Sequence, residues 1–96
     1  MKQYYVYILA SQRNGTLYIG ISSNIIKRIY EHKNKVIKGF SSNYNTNKLV
    51  YFEQYNDIIA AISREKLLKE YKRQGKLNLI ESENPEWHDL YEKIIL

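Results

Sequence analysis

At 96 residues, 44% of them hydrophobic, the chain is long enough for one folded domain and too apolar for a disordered segment. It has no cysteine, which excludes disulfides and thiolate metal sites, and no apolar run near the ~18–20 residues that cross a bilayer. Its net charge of +5 is uneven: residues 1–80 hold 14 Lys+Arg against 5 Asp+Glu, whereas residues 81–96 hold Lys93 against Glu81, Glu83, Glu86, Asp89 and Glu92. A basic body with an acidic tail suits a polyanionic partner, because each phosphate neutralised releases a counterion. The start, MKQYYVYILASQRNG, shows no secretory leader, so a reducing, cytoplasmic setting is expected.

Residues 3–9 (QYYVYIL) are β-branched and aromatic without a breaker and predict a buried strand. SQRNGT, with Asn14-Gly15, predicts a hairpin turn, and residues 17–21 (LYIGI) its return strand. Paired residues in a hairpin have a constant sum. A two-residue loop at Asn14-Gly15 makes that sum 29 and sets Tyr18 opposite Ser11, while a wider loop with sum 25 sets Tyr7 opposite Tyr18. Either odd sum leaves both tyrosines on one sheet face. Gly20 shares that face, and its missing side chain is expected to leave room for a ligand to approach the backbone.

Ser22, Ser23 and Asn24 are cap-type residues before a helix expected over 25–35, with Ile25, Ile29 and Ile26 as its candidate apolar stripe and Arg28 and His32 neighbours at i,i+4. Residues 36–47 (VIKGFSSNYNTN) form a polar loop long enough for a functional role. A third strand is expected over 48–55 (KLVYFEQY). Asn56 or Asp57 then caps a helix to about residue 73, with Gly75 as its stop. A short helix over about 76–82 follows, and Pro85 opens a last helical segment, EWHDLYEKI. The whole chain reads as a single domain, residues 1–96.

Glu65 is the most informative residue of the 57–73 helix. With Ile58, Ala61, Ile62 and Leu68 as the buried stripe, it falls in the middle of the apolar face. A carboxylate there is paired with a base or holds a metal.

Phosphodiester hydrolysis needs an activated water, charge neutralisation at the phosphate and proton transfer. A carboxylate with one hard divalent ion, an arginine fork, a histidine and tyrosines can supply these, so Glu65, Arg28, His32, Tyr7 and Tyr18 are the candidate catalytic residues. No pair of histidines or carboxylates has zinc-ligand spacing, no Gly-rich phosphate loop is present, and the serines show no triad arrangement. Candidate phosphate contacts are Lys27, Lys33, Lys35, Lys38 and Lys48, with Gly20 at the ligand-facing backbone. Arg64, Lys66, Lys69, Lys72 and Arg73 crowd the Glu65 helix, and His88, in the acidic tail, is read as structural.

At these residues the chain resembles the small single-domain bacterial members of the GIY-YIG nuclease superfamily. Tyr5-Val6-Tyr7 stands in the GIY position, with tyrosine in the glycine slot, and Tyr18-Ile19-Gly20 is a literal YIG. Arg28 and His32 in NIIKRIYEH, and Glu65 in SREKLLKEYKR, fall in the matching helices. Asn78 is the nearest counterpart of the family's later asparagine. The resemblance implies an α/β sandwich, with a three-stranded antiparallel sheet flanked by helices. It also implies endonuclease chemistry on DNA, branched or single-stranded substrates included, with a repair or processing role. Glu65 would hold one Mg²⁺ or Mn²⁺ and Arg28 the scissile phosphate, Tyr7 or Tyr18 would activate water, and His32 would assist. RNA stays open as a substrate, and a targeting protein partner and a monomer or weak homodimer fit the small size. The alternative is a nucleic-acid-binding module with this fold and little or no cleavage. A third reading is a protein adaptor that uses the acidic tail.

Overall fold

The computed structural model describes residues 2–35 and 44–95. Three strands, β1 (Tyr4–Ala10), β2 (Leu17–Ser22) and β3 (Lys48–Tyr55), form an antiparallel sheet in the order β2-β1-β3. The helices that lie wholly within the described residues are α1 (Ile25–Lys33), α2 (Ile58–Glu70), α3 (Arg73–Glu83) and the one-turn α4 (Tyr91–Ile94).

The central strand is buried on both faces, which is why its run is apolar throughout. Tyr7 and Leu9 face Ile25 and Ile29 of α1, with Tyr18, Leu90 and Tyr91 alongside. Val6, Ile8 and Ala10 face Ala61 and Leu68 of α2, Ile80 of α3 and Trp87. The sheet is thus sandwiched, with α1 and α4 on one face and α2 and α3 on the other. A bulge between Ile8 and Leu9 shifts the β3 register, so that Val50 and Tyr51 both reach the α2–α3 side.

The hairpin register differs from both expected sums. Tyr7 pairs with Gly20 and Leu9 with Tyr18, a sum of 27. The loop is wider than the Asn14-Gly15 signal implies, because Gly15 N–H donates to the Gln12 carbonyl at 2.9 Å and Asn14 alone takes the left-handed conformation, at φ 59°. The sum stays odd, so Tyr7 and Tyr18 do share a face.

Three other expectations need correction. α2 stops at Glu70 because Tyr71 turns extended, and Gly75 lies within the first turn of α3, where an added Cβ would sit 3.3 Å from the Tyr71 ring. Pro85 does not open a helix through Ile94. Asn84 instead organises a turn, its amide donating to the Val50 and His88 carbonyls and accepting from His88 N–H, while Trp87 adopts φ 57°. The α2 stripe is also narrower than its periodicity suggests: Ala61 and Leu68 are buried, whereas Ile58 and Ile62 are 45% and 37% exposed. Glu65 therefore sits beside the buried line, mostly covered, with a 15% exposed side chain.

Candidate active site at the edge of the sheet

β2 is an edge strand, so side chains from both layers can meet beside it. Tyr7 comes from the middle of β1 and is 2% exposed. Its phenol oxygen lies 3.0 Å from Nε2 of His32, which α1 carries inward together with Ile25 and Ile29. The α1 helix is set by Asn24, whose side chain accepts from Lys27 N–H as its N-cap. Tyr18 from β2 completes a three-ring cluster, with its ring centre 6.4 Å from Tyr7 and 5.2 Å from His32.

The Tyr7 ring lies over Gly20. A Cβ at position 20 would fall 2.4 Å from the Tyr7 hydroxyl and 2.5 Å from Cζ. Gly20 therefore does not leave room for a ligand, as its place on the sheet suggests; the space is filled by Tyr7. The glycine of the Tyr18-Ile19-Gly20 run and the tyrosine of the Tyr5-Val6-Tyr7 run are one packing unit.

Arg28 lies one turn before His32, and its side chain is 43% exposed. Its nearest carboxylate is Glu31, with Nε 3.9 Å from Oε1, too long for a hydrogen bond. Arg28 is shared between a polar recess lined by Ser22, Ser23, Asn24, Lys27 and Glu31 and a more apolar cleft of about 290 Å³ that includes Tyr4, Ile58 and Ile62. Glu65 approaches from α2, and its ion-pair partner among the described residues is Lys69, at 3.3 Å and one turn on.

The electrostatics tie these groups together. Burial, chiefly, pushes the Tyr7 phenol far above its ordinary value. The neighbouring Tyr18, Glu65 and Glu31 add to that, and Arg28 opposes it. Tyr7 is accordingly a neutral phenol and feels the charges of both Arg28 and Glu65. Burial and then Arg28 hold the His32 imidazole below the usual histidine value of 6.5, against the opposing pull of Glu31. A neutral imidazole 3.0 Å from a neutral phenol can accept its proton at Nε2.

The metal expectation can be tested on the donor set. No group of three His, Cys, Asp or Glu side chains able to hold a metal occurs among the described residues. Glu65 is half-buried at the site and engaged by an exposed lysine. That suits an ion taking one carboxylate from the protein and filling its shell with water and phosphate oxygens, as Mg²⁺ or Mn²⁺ does.

The candidate phosphate contacts divide sharply. Lys27 is exposed and lines the recess beside Arg28. Lys35 is exposed just beyond α1, at φ 54°. Lys38 lies outside the described residues. Lys33 is a structural tether rather than a free cation: its ammonium pairs with Asp89, donates to the Asn47 carbonyl at 2.9 Å and sits 5.2 Å over the Tyr91 ring. Arg64 is likewise committed to Glu53, and Arg73 to the Asn14 and Gly15 carbonyls of the hairpin turn. Asn78 is exposed on α3, where its amide oxygen accepts from Gln74 at 2.8 Å. Sequence reasoning gave no specific role to Lys69 or Lys76, which line a groove of about 210 Å³ with Leu17, Tyr18 and Ile19. The i,i+4 spacing of Glu65 and Lys69 was the signal that could have shown their pairing.

Comparison with known proteins places the chain. Residues 3–78 match the family model of the GIY-YIG catalytic domain. A UPF0213 protein of Clostridium perfringens is 38% identical over 91 residues, covering 95% of this chain and 96% of that one. Another, from Staphylococcus saprophyticus, is 35% identical over 80 residues, covering 83% of this chain and 96% of its own length. The solution NMR structure of a UPF0213 protein from Bacillus halodurans has the same fold, with a TM-score of 0.57 over 91% of this chain and 92% of that chain at 22% identity.

Proposed function

The chain belongs to the GIY-YIG family, whose domain implies nuclease-type activity, and on that premise we propose that it is a metal-dependent endonuclease hydrolysing phosphodiester bonds in DNA. The observation that carries the reading is the convergence at one sheet edge of a tyrosine–histidine hydrogen bond with an arginine and a carboxylate that both act on the same phenol.

Arg28 grips the scissile phosphate and offsets the charge that builds on its oxygens. It is partly exposed and loosely paired, so its guanidinium is available to a ligand. Lys27, beside it, takes a neighbouring phosphate in the same recess. Glu65 would hold the divalent ion, which would supply charge neutralisation at the phosphate and help to activate the attacking water. Tyr7 cannot act as a standing phenolate, because burial keeps its proton on. It acts instead in a relay: the attacking water gives its proton to the Tyr7 oxygen as the Tyr7 proton passes to Nε2 of His32. Tyr18, packed against both rings, orients the water.

The test is a cleavage survey on single-stranded, duplex and forked DNA and on RNA, with Mg²⁺, Mn²⁺ or EDTA, and with Glu65→Ala purified in parallel. Metal-dependent products that vanish in the variant are expected, and the survey names the preferred substrate. Salt-sensitive binding with no product on any substrate would replace this reading with that of a non-cleaving binding module.

A further inference from the structure

Glu65 and Lys69 face each other one turn apart on α2, and the two side chains are unequal. Glu65 is 15% exposed, whereas Lys69 is 55% exposed on a long, flexible stem. Lys69 also lines the groove of about 210 Å³ on the Tyr18 side of the site, with Lys76 from α3 as its second cation. One ammonium thus has two places within reach: the carboxylate, and the groove that it lines with Tyr18 and Lys76.

An arriving divalent ion and the Lys69 ammonium cannot both take the same oxygens of Glu65 without like-charge repulsion. The released ammonium would need an anion, and the groove it borders already holds Lys76. We propose that Lys69 is an exchangeable counter-ion: it neutralises Glu65 before the metal binds, and it then swings into the Tyr18–Lys76 groove to hold a backbone phosphate next to the one being cut. This rests on the reading of Glu65 as metal ligand. It gives the site a direction. Along α2 the cleft at Ile58 and Ile62 and the groove at Lys69 lie on opposite sides of Glu65. From Ile62 to Lys69 is about 10 Å at the helical rise of ~1.5 Å per residue, so the substrate strand runs along the exposed edge of β2 from Arg28 toward Lys76.

Lys69 has opposite effects on the two ligands, which a purely structural salt bridge would not. Water-proton relaxation of Mn²⁺ in the absence of nucleic acid reads the first effect. Lys69→Met is expected to bind Mn²⁺ at least about twofold tighter than wild type, the gain from losing an i,i+4 competitor. Binding of an oligonucleotide at several salt concentrations, with Ca²⁺ to withhold cleavage, reads the second effect. Lys69→Met and Lys76→Met should each weaken binding and lower the salt slope by about 0.7–0.9. Lys72→Met, a neighbouring exposed lysine outside the groove, is expected to change neither. Mn²⁺ affinity unchanged or weakened in Lys69→Met, or an unaltered salt slope, overturns the exchange while leaving the nuclease reading in place. Mn²⁺ binding that survives in Glu65→Gln would sink both.

Discussion

Glu53 and Glu65 are both half-buried carboxylates where the sheet meets α2, and their surroundings are opposite. Glu53 accepts from the phenols of Tyr51 and Tyr55 and from Nε and Nη2 of Arg64, the last two at 2.9 Å each. Burial pushes its carboxyl up, but the bonds from Arg64 and the tyrosines outweigh that and hold it below the ordinary range. Four donors fill the ~4 lone-pair sites of a carboxylate, so nothing is left for a ligand. Glu65 pairs with one exposed lysine, and Arg28 pairs loosely with Glu31 at 3.9 Å. An acid and an arginine that saturate each other hold a fold together. An acid and an arginine that each keep one weak ion pair retain the capacity for a charged ligand that the proposed function needs.

Activity is where this contrast can be broken most decisively. Glu65→Gln or Arg28→Ala is expected to slow single-turnover cleavage by about 10²- to 10³-fold, the cost of removing a transition-state charge contact, with little change in melting temperature. Glu53→Gln or Arg64→Ala should do the reverse. Leaving one half of a satisfied pair costs about 2–3 kcal/mol, which lowers Tm by roughly 10 °C or more in a domain of this size. The rate per folded molecule should stay within about twofold of wild type. Thermal melts and single-turnover rates on the four variants check the crossing.

Gly20→Ala sits between the two classes. Its Cβ would collide with the Tyr7 hydroxyl, so the ring must leave His32 or the strands must part. The expected cost is about 1–3 kcal/mol of stability, together with a roughly tenfold or greater loss of rate from the broken relay. Tyr7→Phe in the same background should then add little, because the bond it removes is already lost.

The pH dependence sharpens the account further. The relay needs neutral His32, whose folded-state pKa lies below 6.5. Cleavage should hold steady above that value and fall as pH drops through the lowered pKa. Stability follows the same sign, because the unfolded chain binds the proton at higher pH than the folded one. Cleavage that fell instead with a midpoint above 6.5 would contradict the buried, Arg28-opposed environment of His32.

The smallest effect separates two lysines of α1. Lys33→Met should cost about 0.5–1 kcal/mol of stability, the range of a partly exposed pair, and leave the salt dependence of binding unchanged. Lys27→Met should leave stability alone and lower the salt slope by about 0.7–0.9.

The sequence carried the strands more clearly than the surfaces. QYYVYIL, LYIGI and KLVYFEQY announce three strands by composition, and the parity of the hairpin sum alone put Tyr7 and Tyr18 on one face. Local pattern could not supply what depends on distant chain. Gly20 reads as open space until the Tyr7 ring is seen to fill it. Lys33 reads as a free cation because its partner, Asp89, comes from the far end of the chain. The periodicity of α2 placed Glu65 on the buried side, but it could not show that the helix packs on the sheet through Ala61 and Leu68 with Ile58 and Ile62 outward. The last segment failed for a local reason that only geometry reveals: the Asn84 side chain takes over the backbone bonds a helix would have made.

The central claim is that Glu65 holds the catalytic ion and Glu53 does not. The most direct measurement is the single-turnover cleavage rate of one labelled DNA substrate by wild type, Glu65→Gln and Glu53→Gln in Mn²⁺, with EDTA as the blank. The account predicts metal-dependent cleavage in wild type, its loss in Glu65→Gln, and its survival in Glu53→Gln at a temperature where that variant is folded. Equal rates in wild type and Glu65→Gln would contradict it.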